Sequence, residues 1–131
     1  LSYAEKLKAD EVWYGAAEAD SLAGYWDGSV QFVDKINQIC LLNREIDVSV
    51  RAPLLVMSKK EIILHGVELG VNFGDTYTCY SGEYPCDANS ASSALRLKGF
   101  VDAGLQDPIR YKQQDKLDSV YKDNNCKSIV Y

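Results

Sequence analysis

Two short apolar runs, with one amphipathic helix between them, constrain the fold of this chain more than any other feature. Residues 11–15 (EVWYG) form a β-branched and aromatic run closed by glycine, and residues 46–50 form a second run that ends before Pro53. Such runs predict parallel strands buried on both faces, because buried strands lack an alternation of polar residues. Residues 29–42 predict the intervening helix, since apolar residues recur there at helical spacing.

The predicted helix at residues 29–42 has one apolar face and two candidate caps. Asp27 or Ser29 can accept a hydrogen bond from its first turn. The residues expected to face the core are Phe32, Val33, Ile36, Ile39 and Cys40.

Further segments complete an alternation of helices and strands. Residues 1–9 predict a short helix with its apolar residues on one face. Residues 90–103 predict another helix, which ends at Gly104 and Pro108. Ser58 and Glu61 form a capping box that starts another helix, which ends at Leu69. The alternation predicts a doubly wound α/β sheet. Because two strands cannot make such a domain, the remaining strands are expected from residues outside this sequence or from a partner.

Composition and charge exclude several classes of protein. A length of 131 residues fits one domain or part of one. A net charge of −5 argues against direct binding to nucleic acid, which needs a basic surface. No apolar run approaches the roughly 20 residues that cross a bilayer. Four cysteines are too few for a disulfide scaffold, so a reducing, cytoplasmic compartment is expected.

The stretch from Thr76 to Phe100 (TYTCYSGEYPCDANSASSALRLKGF) differs from these ordinary elements. It begins as a polar, aromatic loop with two cysteines and continues into a helix of small residues. Its T-x-T-C-Y-x-G opening and its R-L-K-G-F ending resemble the C-terminal part of the 7-cyano-7-deazaguanine synthase (QueC) family. Members of that family convert a 7-carboxy-7-deazaguanine into a nitrile with ATP and ammonia.

Other motifs in the same order extend the resemblance over residues 1–108. The loop after the first strand follows the family pattern E-x-D-x-x-G-Y-P-D-C-R-x-E-F at Glu18, Asp20, Gly24, Tyr25, Asp27 and Phe32. It departs from that pattern at Trp26, Gly28, Ser29 and Gln31. The next matches are Pro53, Ser58, Lys59, Glu61 and the ending at residues 103–108.

The resemblance implies the C-terminal part of a Rossmann-like domain of the adenine nucleotide α hydrolase type, with a helical C-terminal region. Residues 1–75 would be the second half of the nucleotide-binding domain, residues 76–108 a degenerate zinc-site region, and residues 109–131 a C-terminal tail. The family's S-G-G-x-D-S phosphate loop is not among these residues. Without its amides the chain alone should not hold pyrophosphate, so the N-terminal half of the enzyme or a second chain must carry it.

The resemblance also implies a site for ATP, with Mg²⁺, and for a 7-deazaguanine-type molecule. Lys59, at a helix start that attracts anions, would stabilise the leaving pyrophosphate. The expected substrate-binding residues are Glu18, Asp20, Tyr25, Asp27, Thr78 and Tyr80. Carboxylates can accept paired hydrogen bonds from a guanine-like edge, and tyrosine can stack on its ring. Taken without the resemblance, a solvated lysine and a solvated acidic loop remain alternatives.

The structural zinc of the family falls on Cys79, Cys86, Asn89 and Ser92. Zinc favours thiolate and imidazole, and its structural sites are almost always four-coordinate. We therefore expect no zinc here, and expect Asn89 or Ser90 to cap the following helix instead. A disulfide between Cys79 and Cys86 remains an alternative.

Three functions stay open. The first is the C-terminal portion of a QueC-like synthase, which by family resemblance would form a homodimer. The second is a diverged enzyme that joins an activated deazaguanine, or a similar acid, to another amine. The third is a non-catalytic remnant that binds a base or a partner protein. None of the three involves a membrane.

The last residues are polar and charged. Residues 111–122 predict a surface helix, and the rest of the tail is expected to be loosely ordered.

Overall fold

The computed structural model describes residues 1–17, 24–43 and 47–130. Two compact units divide the chain, Leu1–Met57 and Ser58–Tyr131. The elements of the first unit are α1 (Ser2–Leu7), β1 (Glu11–Trp13), α2 (Val30–Cys40) and β2 (Ser49–Arg51). Those of the second unit are α3 (Lys59–Glu68), α4 (Ala91–Asp102) and α5 (Gln114–Asp123). Short 3₁₀ turns lie at Trp26–Gly28 and Phe73–Asp75.

The first unit is built on a two-stranded parallel sheet. Val12 of β1 lies opposite Val50 of β2. The ladder is extended at both ends, because Ser49 N donates to Asp10 O at 2.9 Å and Tyr14 N donates to Arg51 O at 2.7 Å. The predicted parallel pairing is thus confirmed, and the mixture of helices with a small parallel sheet is consistent with part of a Rossmann-like domain.

The strands differ from the prediction in length and burial. β1 ends at Trp13, not at residue 15, and β2 covers Ser49–Arg51. Burial on both faces is wrong for β1, because Trp13 is 70% exposed. In the described residues the sheet has two strands, and too few helices pack on it to bury both of its faces.

Helix α2 joins the two strands and packs on them. Ser29 caps it, since its Oγ accepts from Phe32 N at 3.1 Å. Val33 and Cys40 are buried as predicted, whereas Ile39 is 54% exposed, so its assignment to the core is wrong. The core of this unit contains Ala16, Val33, Leu55, Tyr14, Phe32 and Ala52.

The second unit packs α3 against α4 and adds the C-terminal residues to the same core. The capping box of Ser58 and Glu61 is confirmed at the start of α3. Leu97 of α4 and Tyr121 of α5 lie in one buried cluster. The remaining buried members of that cluster are Cys79, Cys86, Ile109, Tyr111 and Cys126.

The C-terminal segment is not the loose tail that the sequence predicts. Cys126 is buried, and Lys127 pairs with Leu105 in a short parallel bridge. The predicted surface helix is confirmed as α5, with Tyr121 turned into the core. The sequence did not predict the burial of Tyr121 and Cys126, because single apolar residues in a charged stretch give no periodic signal. The division at residues 75 and 108, drawn from the family, stays a prediction.

None of the helices in the described part of the chain has the length and apolar character needed to span a bilayer.

Candidate functional site

A tyrosine holds Asp27 at the carboxyl end of β1. The hydroxyl of Tyr14, which follows β1 directly, donates to Asp27 Oδ2 at 3.2 Å and to the Asp27 carbonyl oxygen at 3.3 Å. Asp27 lies in the 3₁₀ turn that precedes the Ser29 cap of α2. Open α/β sheets bind ligands outside this end of their strands. Sequence reasoning singled out Asp27 and missed Tyr14, although an aromatic residue closing the strand run was a visible signal.

Two aromatic side chains lie next to Asp27 in the chain. Tyr25 is 40% exposed and Trp26 is 71% exposed. The Trp26 ring meets the Phe32 ring edge-on, with centroids 5.0 Å apart and planes at 84°. Helix α2 therefore orients Trp26 while leaving most of its ring in solvent. The other two predicted residues of this loop, Glu18 and Asp20, lie outside the described residues.

Lys59 is the first residue of α3, and the backbone around it is fixed from two sides. In the capping box Ser58 N donates to Glu61 Oε2 at 2.7 Å, and Glu61 N donates to Ser58 Oγ at 3.2 Å. The hydrogen bonds from the Ser58 hydroxyl and amide hold the pKa of Glu61 below its ordinary value. On the other side, a Cβ on Gly99 would lie 2.8 Å from Lys59 Cβ. Only glycine therefore allows α4 to approach this turn so closely.

The loop after residue 76 buries Cys79 between two more exposed residues. Cys79 is 4% exposed, whereas its neighbour Tyr80 is 81% exposed and Thr78 is half-buried. Cys79 Sγ lies 3.1 Å from Ser81 Oγ. Hydrogen bonds from the Ser81 hydroxyl and amide, and from the Asp87 amide, lower the pKa of Cys79 to about 6. The Cys79 sulfur thus anchors the loop through these hydrogen bonds, and Tyr80 is exposed to solvent.

An ion pair that sequence reasoning missed holds the start of this loop. Arg96 Nε and Nη2 donate to the two carboxylate oxygens of Asp107 at 2.6 and 2.9 Å. The same guanidinium donates to Thr76 Oγ1 at 2.7 Å and to the Phe73 carbonyl at 3.0 Å. The Asp107 carboxylate also accepts from the Tyr111 hydroxyl at 2.7 Å. Arg96 and Asp107 stood in matched motifs, but nothing in the sequence paired them.

Burial and charge act against each other at this ion pair. The Arg96 side chain is 11% exposed and that of Asp107 is fully buried. Burial works to lower the pKa of Arg96, but the hydrogen bonds and negative charge of Asp107 raise it above its ordinary value. Burial, with the Asp107 charge, also raises the pKa of Tyr111. Arg96 is therefore a fixed cation and Tyr111 a fixed hydroxyl donor.

Helix α4 is the element that contacts both predicted parts of the site in the second unit. Gly99 meets the first turn of α3 at Lys59, and Arg96 meets Thr76 at the start of the loop that carries Thr78 and Tyr80. These two α4 residues are three apart and so share one helical face. The position of Lys59 and the course of the loop thus depend on the same face of α4.

The residues at the family's zinc positions do not fit that metal. Cys79 and Cys86 are buried free thiols, whereas Asn89 is exposed to solvent. Within residues 1–17, 24–43 and 47–130, no group of three or more His, Cys, Asp or Glu could hold a metal ion. Two thiols, an amide and the hydroxyl of Ser92 are a poor set for four-coordinate zinc. The predicted helix cap is confirmed at Ser90, whose Oγ accepts from Ser93 N at 3.3 Å.

Comparison with known proteins supports the same family over most of the chain. The family model described as queuosine biosynthesis protein QueC matches residues 1–104. The chain is 36% identical over 117 residues to the 7-cyano-7-deazaguanine synthase of Clostridium kluyveri, which covers 85% of this chain and 51% of that protein. It is 37% identical over 116 residues to the 7-cyano-7-deazaguanine synthase of Chlorobium phaeobacteroides, and this alignment covers 87% of the chain and 51% of that protein. The chain spans about half the length of these relatives.

Proposed function

This chain belongs to the 7-cyano-7-deazaguanine synthase (QueC) family, and from that premise we propose that it forms the C-terminal portion of such a synthase. The reaction would convert 7-carboxy-7-deazaguanine and ammonia into the nitrile at the expense of ATP. The carboxylate is first activated as an adenylate with release of pyrophosphate, and ammonia then displaces AMP to give an amide. A second activation of the amide oxygen, followed by loss of AMP and a proton, leaves the nitrile.

The observation that carries the proposal is the common support of Lys59 and the 76–80 loop by α4. Adenylation develops negative charge on the departing pyrophosphate, and a lysine ammonium placed in advance stabilises it most. The capping box and the close approach of Gly99 fix the backbone and Cβ of Lys59, from which its side chain extends. The amides of the first turn of α3 add to the attraction for an anion. Magnesium-bound ATP would approach the same helix start.

On the first unit, the turn at residues 25–27 suits the recognition of a purine-like base. The amidine edge of guanine presents two N–H donors, and one carboxylate can accept both. The hydrogen bond from Tyr14 orients the Asp27 carboxylate, and Tyr25 offers an exposed ring for stacking. Glu18 and Asp20 belong to the same loop in sequence and would complete the acceptor set.

We infer that the N-terminal half of the enzyme, or a second chain, supplies the phosphate loop, and that it pairs with the edge of β1 opposite β2. Asp10 and Tyr14 direct their main-chain bonds to β2, so the alternating Glu11 and Trp13 direct theirs to the opposite edge of β1. The outer edge of β2 is already used, because Asn37 bonds both main-chain groups of Val50. We therefore place the joining strand beside β1.

The test is an assay of the complete enzyme, with this chain and the part that carries the phosphate loop. Release of AMP and pyrophosphate should depend on 7-carboxy-7-deazaguanine, and mass spectrometry should find the nitrile with ammonia as donor. Lys59→Ala should lower kcat at least tenfold, whereas Lys60→Ala, the neighbouring exposed lysine, should not. Turnover unchanged in Lys59→Ala would remove Lys59 from the mechanism. Absence of AMP release that depends on this substrate would exclude the synthase and leave the other two functions.

One observation favours a second candidate function, a diverged enzyme that joins an activated deazaguanine, or a similar acid, to another amine. Ser29 stands where the family pattern has arginine, and its hydroxyl is used to cap α2. The cation of the family pattern is therefore absent at that position of the turn. If a panel of amines replaces ammonia with higher kcat/KM, and no nitrile forms, the second function is the correct one.

A further inference from the structure

We propose that the loop at the family's zinc positions is held without a metal, by a strap formed of residues 110–113. The strap lies in sequence between Asp107 of the ion pair and α5, and it forms hydrogen bonds to Cys86, Asp87 and Ala88. By the family spacing, Cys86 and Asn89, which follows Ala88, would be metal ligands. The hydrogen bonds of the strap hold residues 86–88 whether or not the chain takes part in catalysis.

The first contact is a backbone bridge at Cys86. Cys86 N donates to Arg110 O at 3.0 Å, and Lys112 N donates to Cys86 O at 2.8 Å. Both main-chain groups of Cys86 are thus bonded to residues on either side of Tyr111, in a parallel bridge. The side chain of Cys86 is fully buried, and that of Tyr111 is 3% exposed. The bridge therefore fixes the chain at Cys86 from the backbone and leaves its thiol in the core.

The second contact is a two-point hydrogen bond from Gln113. Its Oε1 accepts from Ala88 N at 3.0 Å, and its Nε2 donates to Asp87 Oδ1 at 3.0 Å. Asp87 Oδ1 also accepts from Asn89 N at 2.9 Å, which closes a local turn. One glutamine side chain thereby holds the turn that leads from Cys86 to α4. In a zinc site the cross-link to the ion would do this.

The third contact closes the start of α4 without a ligand. Ser90 Oγ accepts from Ser93 N at 3.3 Å and donates to Ser93 Oγ at 2.8 Å. Ser93 is fully buried, so its hydroxyl needs the partner that Ser90 provides. Asn89 is exposed, and its side chain forms a hydrogen bond with Asp87. These contacts hold the start of α4 without a ligand at residue 89.

The test begins with the metal content and heat stability of the purified chain. After expression in zinc-supplemented medium, elemental analysis should find zinc far below one equivalent. The Tm should be the same with and without a strong zinc chelator. Zinc at one equivalent per chain, or a Tm that falls on chelation, would overturn the inference. The double variant Asn89→Cys/Ser92→Cys, which restores four thiols, serves as the positive control for detection.

The strap itself is tested by Gln113→Ala. We expect a lower Tm that added zinc does not restore, because two hydrogen bonds to the turn are lost. Lys116→Ala, at an exposed position of α5, is the matched control and should keep the wild-type Tm. A wild-type Tm in Gln113→Ala would refute the role of the strap.

Hydrogen exchange in the wild-type chain covers the case in which Gln113→Ala does not fold. The amides of Cys86, Ala88 and Lys112 are donors in the strap contacts and should exchange slowly. Exchange of these three amides as fast as that of exposed loop amides would show that the strap does not hold the loop.

Discussion

Arg96 and Asp107 form a two-point ion pair inside the second unit, and the Asp107 carboxylate is fully buried. The remaining N–H groups of the guanidinium donate to Thr76 and to the carbonyl of Phe73. One side chain of α4 thus connects the start of the 76–80 loop with the start of the C-terminal segment. Burying two charges costs desolvation energy that offsets their attraction, so the ion pair adds little net stability. Its main effect is to fix the loop, through the hydrogen bonds from Arg96 to Thr76 and Phe73.

Removing one partner of that pair should be strongly destabilising. In Arg96→Ala the Asp107 carboxylate stays buried without its cation, which typically costs about 3–5 kcal/mol. Urea denaturation measures the change in the free energy of unfolding. Lys98→Ala is the control on the same helix, because the Lys98–Asp102 pair is largely exposed and should contribute no more than about 0.5 kcal/mol. Equal effects of the two variants would contradict the buried ion pair.

A side chain at Gly99 should disturb the contact between α4 and α3. In Gly99→Ala the new Cβ would lie 2.8 Å from Lys59 Cβ and 2.9 Å from Ile63 Cδ1. Overpacking of this kind costs about 1–3 kcal/mol, while alanine regains about 1 kcal/mol of helix propensity. We expect a net loss of about 1 kcal/mol in thermal unfolding.

The complete enzyme adds a second readout for Gly99→Ala. If Lys59 acts in turnover, its displacement should lower kcat more than KM rises. Gly15→Ala is the control, since a Cβ there meets no atom within 4 Å. A fully active Gly99→Ala enzyme would separate the helix contact from the position of Lys59.

The capping box and the cap at Ser90 could be predicted because each rests on residues close together in sequence. The parallel pairing of the strands was predictable from the order strand, helix, strand, because a helix is the usual connection between parallel strands. Ser58 and Glu61 are three residues apart, and their hydrogen bonds follow from that spacing. The prediction that Ile39 lies in the core was wrong, because spacing along the helix does not show how much of its apolar face is covered. A period of 3.6 residues predicts which face of a helix is apolar, but not how wide the covering layer is.

The ion pair, the strap and the buried end of the chain were beyond sequence reasoning. Gln113 meets Asp87 across 26 residues, and Arg96 meets Thr76 across 20. Such contacts depend on how whole helices and loops pack, and the sequence around a polar residue does not identify its hydrogen-bond partner. The family resemblance pointed to Asp27 and Lys59 as site residues, but it did not point to Tyr14, which the fold brings against Asp27.

Asn37 closes the outer edge of β2, and its loss should be measurable. Its Nδ2 donates to Val50 O at 3.0 Å, and its Oδ1 accepts from Val50 N at 2.8 Å. Asn37→Ala leaves both main-chain groups without this partner, at a cost of about 1–3 kcal/mol. Gln38→Ala, the next residue on the exposed side of α2, should change stability by less than about 0.5 kcal/mol. Denaturant midpoints of the two variants, compared with wild type, decide the point.

The capping box of α3 should make stability depend on acid in a defined direction. The hydrogen bonds from Ser58 hold the folded-state pKa of Glu61 below its ordinary value. A lowered folded pKa means that the stabilisation is complete above the unfolded-state pKa of about 4.3 and is lost as pH falls through the folded value. Glu61→Gln keeps an acceptor for Ser58 N but cannot ionise. The Tm advantage of wild type over Glu61→Gln should therefore be constant near neutral pH and shrink below about pH 4.3. An advantage that grows on acidification would show that the carboxylate is not the stabilising form.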